Sequence, residues 1–292
     1  MKVIVTGSNG QVGYCLVEQL KARKDIELFA YDREQLDITN EKQVKDIVSN
    51  ILPNVIINAA AHTAVDKAES EVELSYAINR DGPKYLAQAA EHVGAALLHI
   101  STDYVFDGAS TIPYLETDKT NPQTVYGKSK LAGEQEIVKY CSKFAIMRTA
   151  WVFGEHGNNF VKTMLKLART RPELGIIGDQ FGGPTYAGDI AASLLVMMEK
   201  LLTEGAEVAG CYHFSGSPHV SWYQFSSAIF EKGQSSDILE GLPLVNEIST
   251  EQYPTPAPRP ANSKLNCDSI FSIFGISPSD WKAALNNIKE YK

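Results

Sequence analysis

The first thirteen residues limit the fold more than any other stretch. Lys2-Val-Ile-Val-Thr6 is a β-branched run that begins at once and stops at a glycine, the pattern of a strand buried on both faces in a parallel sheet. Gly7-Ser-Asn-Gly10-Gln-Val-Gly13 follows, and Tyr14-Cys-Leu-Val-Glu-Gln-Leu20 then takes up helical periodicity. Strand, glycine turn and helix in that order predict a βα unit whose turn faces a phosphate. Glycines suit such a turn because backbone N–H groups approach a pyrophosphate with no Cβ in the way, and the helix N-terminus faces the negative charge. On this reading Gly7, Asn9, Gly10, Gln11, Val12 and Gly13 hold a dinucleotide. A plain strand–helix turn is the alternative.

The alternation continues along the first half. Glu27-Leu-Phe-Ala-Tyr31 reads as a second strand and ends in Asp32-Arg33. An acidic residue there binds a ribose 2′-hydroxyl, whereas an adjacent arginine attracts a 2′-phosphate; with both present, NAD and NADP stay open. Asp37, with Ile38 beside it, is placed to face an adenine, and a helix N-cap at Thr39 or Asn40 is the equal alternative. Val55-Ile-Ile-Asn58 is a buried strand running out into Ala59, Ala60 and Ala61, whose small side chains leave room for a ligand at the carboxyl edge of a sheet. Val65-Asp66-Lys67-Ala-Glu69 opens a helical segment, and Asn79 in the next reads as a polar surface residue. Leu97-Leu-His-Ile100 is a fourth strand, closed by Ser101-Thr102, and Phe144-Ala-Ile-Met-Arg148 is a fifth. Strands alternating with helices predict an α/β fold with a doubly wound, Rossmann-type parallel sheet.

Chemistry falls between the fourth and fifth strands. Val125-Tyr126-Gly127-Lys128-Ser129-Lys130 opens a helix, and residues four apart share a helical face. A free phenol titrates at about 10, and a nearby ammonium lowers that value. Lys130 is therefore expected to tune Tyr126 downward, into a proton donor near neutral pH. Thr102 supplies a hydroxyl to hold a carbonyl oxygen. In a chain with 13 tyrosines one Tyr-x-x-x-Lys match is about what chance gives, so the order of features carries the argument. A glycine turn closes the first strand, a hydroxyl closes the fourth, and the Tyr/Lys helix comes next. Together they predict an oxidoreductase site, beside a loop from Asp103 to Thr124 that is long for a plain connection.

Beyond Arg148 the pattern changes. Trp151-Val-Phe-Gly154 and Asn158-Asn-Phe160 precede a helix over Val161–Ala168, and Asp179-Gln-Phe-Gly-Gly-Pro-Thr185 is dense in turn formers. Further helices are expected over Ala187–Leu202 and Ser221–Lys232, with a short strand at Tyr212-His-Phe-Ser215. The expected division is an NAD(P)-binding domain over 1–150 and a smaller C-terminal α/β substrate domain over 151–292, with the helix near 187–203 packing back on the first. Four prolines between Tyr253 and Ala261 fix an extended path. This stretch is read as an ordered arm that carries Arg259 to an anionic group, rather than as a linker.

Composition excludes several classes. A net charge of −8 without a basic run gives no surface for nucleic acid. Cys15, Cys141, Cys211 and Cys267 are scattered, suggesting neither a zinc site nor a disulfide framework. No apolar run approaches the ~18 residues of a membrane span, and the N-terminus lacks a signal-peptide pattern. The expectation is a cytoplasmic protein with no membrane partner.

The residues also resemble the dTDP-4-dehydrorhamnose reductases, which are extended short-chain dehydrogenases. The likeness runs through Gly7–Gly13, whose Gly-x-x-Gly-x-x-Gly spacing is the short-chain form, then Asn58–Glu69, Ser101–Gly108, Tyr126–Lys130, Arg148–Phe153, Asn159-Phe160 and Pro254–Ser263. His62-Thr-Ala-Val-Asp-Lys-Ala-Glu69 and Pro254-Thr-Pro-Ala-Pro-Arg259-Pro260 set this family apart from the related epimerases and dehydratases. The resemblance implies NAD(P)H-dependent reduction of the C4 ketone of dTDP-4-dehydro-β-L-rhamnose to dTDP-L-rhamnose, the last step of dTDP-rhamnose biosynthesis. It implies Thr102, Tyr126 and Lys130 as the catalytic trio, with Val65, Asp103, Trp151 and Asn159 at the sugar and Arg259 at the nucleotide phosphates. NADPH is the usual cofactor, with NADH tolerated in some members. Some relatives join two subunits through a metal held by glutamates; the matching positions here are Cys15 and Gly188, so no such metal is expected and a homodimer is left open. Two other readings fit the same residues. One is a different nucleotide-sugar reductase or epimerase of the superfamily, and the other is a non-catalytic regulatory subunit resembling the beta subunit of methionine adenosyltransferase.

Overall fold

The computed structural model describes residues 1–291. In chain order its larger elements are β1 (Lys2–Thr6), α1 (Gln11–Lys21), β2 (Glu27–Tyr31), α2 (Glu41–Ile51), β3 (Val55–Asn58), α3 (Gly82–Val93), β4 (Ala96–Thr102), α4 (Val125–Tyr140), β5 (Phe144–Thr149), α5 (Phe160–Thr170), β6 (Glu173–Ile177), α6 (Ala187–Glu204), β7 (Gly210–His213), α7 (Trp222–Ser235) and β8 (Leu244–Ile248).

β1, β3, β4 and β5 are near-continuous apolar runs because both faces of each are covered. Successive residues point to opposite sides. Val3, Val5, Ile57, Leu98 and Met147 meet Leu16 and Leu20 of α1 and Ile190, Leu194, Met197 and Leu201 of α6. Ile4, Ile56, Leu97 and Ile146 meet Val44 and Val48 of α2, Leu86 and Ala90 of α3, and Ile137 of α4. Each such side chain, fully buried, contributes about 1.5–3 kcal/mol. Local signals set the helix ends. Asn40 caps α2 by accepting from Gln43 N, and Thr124 caps α4 by accepting from Gly127 N. Ser221 and Gln224 form a reciprocal capping box on α7.

The sheet has six strands in the order β7-β5-β4-β3-β1-β2, all parallel. Five of these are the strands expected from the sequence. The sixth, β7, overlaps the short strand expected at Tyr212-His-Phe-Ser215 but starts two residues earlier, and it pairs Tyr212 with Met147 and His213 with Arg148. The order turns back at β1, which lies between β2 and β3. Ligands of doubly wound sheets bind at such a reversal, beyond the strand carboxyl ends.

The second core gathers Phe153, Val161, Leu165, Phe225, Ile229 and Trp281 under the parallel pair β6/β8. The proline-rich arm is ordered. Its Asn262–Ser263 pairs with Phe181–Gly182, which in turn pairs with Val220–Ser221. Asn262 N donates to Gly108 O at 3.1 Å and Tyr114 N to Lys264 O at 2.9 Å, so the arm is stitched to the long loop that follows β4. Among the described residues no helix is long and apolar enough to cross a membrane.

Candidate active site

The turn after β1 is shaped by what it excludes. Gly7 has φ +71°, and a Cβ there would stand 2.6 Å from Ala60 N; at Gly13 it would stand 2.0 Å from Gly7 O. Neither position takes a side chain. Gly10 precedes α1 with no side-chain cap, which leaves the helix's first N–H groups to an anion. Gly10, Gln11 and Val12 line a cleft of about 1270 Å³, with Ala59 and Ala61 across from them. These features fit a dinucleotide pyrophosphate. Gly7, Gly13 and Ala60 build the turn behind this wall. Asn9 gives its amide to Asp32 Oδ2 at 3.1 Å, and its carbonyl meets His156 Nε2 at 3.0 Å.

The adenosine end is less open than the sequence suggests. Asp32 Oδ1 accepts from Glu34 N at 3.0 Å and Gln35 N at 3.1 Å, so this carboxylate shapes its own turn. Arg33 is exposed. Asp37 Oδ1 accepts from Thr39 N at 2.9 Å and Thr39 Oγ1 at 2.8 Å, while Ile38 is buried in the core beside Leu36. None of these four lines the cleft.

Thr102, Asp103, Tyr126 and Lys130 do line it, midway along. β4 delivers Thr102 at its carboxyl end, and α4 delivers Tyr126 and Lys130 from its first two turns. The two elements meet closely because Gly127 has no side chain: a Cβ there would stand 2.2 Å from Tyr104 O. The Tyr104 ring then packs edge-on against Tyr126, centroids 5.4 Å apart. Behind the trio, Arg148 on β5 donates to Glu134 of α4 through Nε at 3.0 Å and Nη2 at 2.7 Å. Ser101 on β4 donates its hydroxyl to the same carboxylate. This buried triad fixes α4 against both strands.

Electrostatics correct one expectation. Lys130 was expected to draw the Tyr126 phenol down, but burial pushes it up to about 12, the Asp103 charge adding to the rise and the Thr102 hydroxyl opposing it. Burial draws Lys130 down to about 8, with Glu134 opposing. A group desolvated on all sides favours its neutral form. Asp103 is raised to about 6, also by burial. Its Oδ1 accepts from Thr102 Oγ1 at 3.0 Å, while Oδ2 has no partner.

A second correction concerns Asn79, read from sequence as a surface residue. It is buried in a π-helical turn, Ala77–Asp81. Its amide exchanges bonds with the His62 backbone at 2.8 and 3.1 Å and donates to Ser129 Oγ at 3.0 Å. It thereby ties the loop after β3 to the helix of Tyr126 and Lys130.

The far end of the cleft is a chamber walled by Val65, Trp151, Phe160, Met164, Trp222 and Arg259 among others. Trp151 holds φ +51°, a conformation rare for a bulky residue and one that gathers at functional sites. It stacks on Trp222, ring centroids 3.5 Å apart. Arg259 pairs with Asp66 at 2.6 Å and donates to Ala257 O at 3.1 Å. Asn159 lies outside the wall. It caps α5 and donates to Gly154 O at 2.6 Å and Gln11 Oε1 at 3.2 Å, so Phe160 is the neighbour that faces the cleft. Sequence reasoning missed Trp222, Tyr104 and Tyr253 in the wall. Trp222, an aromatic immediately after the Ser221 cap, was the one signal available.

Comparison with known proteins agrees with this geometry. A family model described as RmlD substrate binding domain matches residues 1–291. A dTDP-4-dehydrorhamnose reductase of Aggregatibacter actinomycetemcomitans is 50% identical over 99% of both chains. One of Escherichia coli K12 is 42% identical over 99% of this chain and 97% of its own. Among solved structures, a dTDP-4-dehydrorhamnose reductase of Clostridium acetobutylicum superposes with a TM-score of 0.90 at 41% identity, covering 98% of each chain. One of Bacillus anthracis, solved in complex with NADP, superposes at 0.89 and 38% identity, covering 100% of this chain and 99% of its own.

Proposed function

The chain belongs to the dTDP-4-dehydrorhamnose reductase family, and on that premise we propose that it reduces the C4 ketone of dTDP-4-dehydro-β-L-rhamnose to dTDP-L-rhamnose with NADPH, the last step of dTDP-rhamnose biosynthesis. One observation carries the reading. Thr102, Tyr126 and Lys130 line a single cleft that runs from a phosphate-binding turn to an aromatic chamber.

Gly10, Gln11 and Val12 would hold the cofactor pyrophosphate, with Ala59 and Ala61 opposite. Asp32 is engaged by its own turn and Arg33 is exposed, which supports a 2′-phosphate and therefore NADPH, with NADH as a poorer substitute. When bound, the nicotinamide supplies a hydride to the ketone carbon. Thr102 turns its one hydroxyl proton from Asp103 Oδ1 to the ketone oxygen, where negative charge builds. Tyr126 is fully protonated across the neutral range, since burial holds it at about 12, and it gives that proton to the developing alkoxide. Lys130, when cationic, steadies the phenolate left behind. Val65 and Trp151 bound the sugar, and Arg259, oriented by Asp66, meets the diphosphate. Asn159 contributes by fixing the start of α5, and so the place of Phe160.

We read residues 1–150 as the cofactor-binding part and 151–292 as the sugar-nucleotide part, with α6 and β7 returned to the first. The four cysteines are unpaired, which fits the reducing cytoplasm as the place of reaction.

The test is loss of reduced-nicotinamide absorbance with purified protein, NADPH or NADH, and enzymatically made dTDP-4-dehydro-β-L-rhamnose. Stoichiometric oxidation with formation of dTDP-L-rhamnose is the expected result. Epimerised product without net oxidation, or no turnover by protein that still binds NADPH, would overturn it.

A further inference from the structure

His99 is wholly buried, outside the cleft wall, and has no part in the reaction as described. It is nonetheless one link in a row of hydrogen bonds that ends on Lys130. Thr6 Oγ1 donates to Asn58 Oδ1 at 2.7 Å, and Ala60 N donates to the same oxygen at 3.1 Å. Asn58 Nδ2 meets His99 Nδ1 at 3.0 Å, and His99 Nε2 meets Lys130 Nζ at 3.2 Å. Lys130 also donates to Ile100 O at 2.6 Å.

Counting donors along this row fixes its protons. A backbone N–H can only donate, so Ala60 makes Oδ1 the accepting end of the Asn58 amide and turns Nδ2 toward the imidazole. Nδ1 is then the bare nitrogen, and a neutral ring carries its one proton on Nε2, aimed at the lysine. An ammonium has three donors and no lone pair, so Nε2–H would meet it donor to donor. A free amine can accept.

We propose that His99 is a positioning residue for Lys130: Asn58 locks its proton on Nε2, and that N–H weights the lysine toward its free amine. The inference rests on Lys130 acting beside Tyr126 as described above. The other charged or titratable groups around the lysine are Glu134 one turn along α4, itself paired with Arg148 of β5, and Tyr126 and Asp103 at the cleft. Of these, Glu134 favours the ammonium. Burial lowers both His99 and Lys130, which brings the loss of the lysine's charge toward the neutral range. The N–H thus lowers the pH at which Lys130 loses the charge that steadies the phenolate.

The experiment is long-range ¹H–¹⁵N NMR of histidine-labelled protein without ligand, the His99 signals assigned by their loss in His99→Gln. The expected result is the Nε2-protonated tautomer. Asn58→Asp, whose carboxylate only accepts, should invert it to Nδ1–H. Both His99→Leu and Asn58→Asp should also move the alkaline limb of kcat/KM upward by about one pH unit, whereas a loss that is merely structural lowers the profile without moving its limb. An Nδ1–H tautomer in the unaltered protein, or an unmoved limb in folded His99→Leu, would overturn the proposal. The tautomer is read without substrate, so it stands or falls apart from the question of which sugar is reduced.

Discussion

Gly127→Ala tests whether the close approach of α4 to the loop after β4 sets the catalytic geometry. An added Cβ would stand 2.2 Å from Tyr104 O, whereas carbon and oxygen in contact settle at about 3.3 Å. Something must therefore give by about 1 Å. Tyr104 packs on the Tyr126 ring and directly follows Thr102 and Asp103, so the displacement falls between the phenol and the threonine hydroxyl. A misplacement of that size costs about 100-fold in rate. Stability responds less. Alanine gains up to about 1 kcal/mol of helix propensity over glycine, and overpacking costs about 1–3 kcal/mol. The net loss is at most about 3 kcal/mol, or a fall in Tm of no more than about 12 °C. The assay is kcat with NADPH and the dTDP-4-keto sugar, beside a thermal melt of the same sample. Gly241→Ala, where the added methyl meets nothing within 4 Å, is the control and should match the unaltered protein. A folded Gly127→Ala enzyme with kcat within about threefold of the original would refute the reasoning, because the trio would then tolerate a shift that the argument forbids.

Other substitutions address separate groups. Tyr126→Phe should lower kcat by about 10²- to 10⁴-fold while leaving NADPH affinity, read by nicotinamide fluorescence, unchanged. Arg33→Ser should raise KM for NADPH about tenfold, the loss of one charge-assisted contact, with KM for NADH unmoved. Asp103 is buried and raised from 3.8 to about 6, so the folded state binds its proton more tightly than the unfolded chain does. Its stabilising contribution is present below about pH 4 and is lost as pH rises through about 6, a change of roughly 3 kcal/mol. Asp103→Asn should accordingly resist urea better than the original at pH 8, with a smaller advantage at pH 5.

What the sequence made legible were features whose causes are local. The turn after β1 is written in glycines at every third position, and the shared face of Tyr126 and Lys130 follows from spacing on one helix. The direction of their titration was not legible, because it depends on how completely neighbouring elements exclude water, and that is decided by residues far along the chain. Asn79 was misread for the same reason: its partners, His62 and Ser129, lie 17 and 50 positions away. Asn159 was expected at the sugar, yet its position at the start of a helix, ahead of the periodic Val161–Ala168 run, is itself a capping signal. Trp222 reaches the chamber only because α7 packs on α5. Short β7 could be suspected as a strand, but nothing in four residues names β5 as its partner.

The two cores are not threaded one after the other. The chain leaves the first beyond Thr149, returns to it through α6 and β7, departs again, and comes back with Ile270 and Phe274. Truncation at Thr149 would strip β5 of its outer neighbour and bare the α1 side of the sheet, so such a fragment should be recovered as aggregate rather than as a cofactor-binding module. Exchange of sugar specificity with a relative is constrained in the same way. A single crossover near residue 150 would bring in a foreign α6 and a foreign sheet edge along with the new pocket. Grafts confined to the chamber wall, such as Trp151, Trp222 and the arm bearing Arg259, would leave the interleaved framework whole.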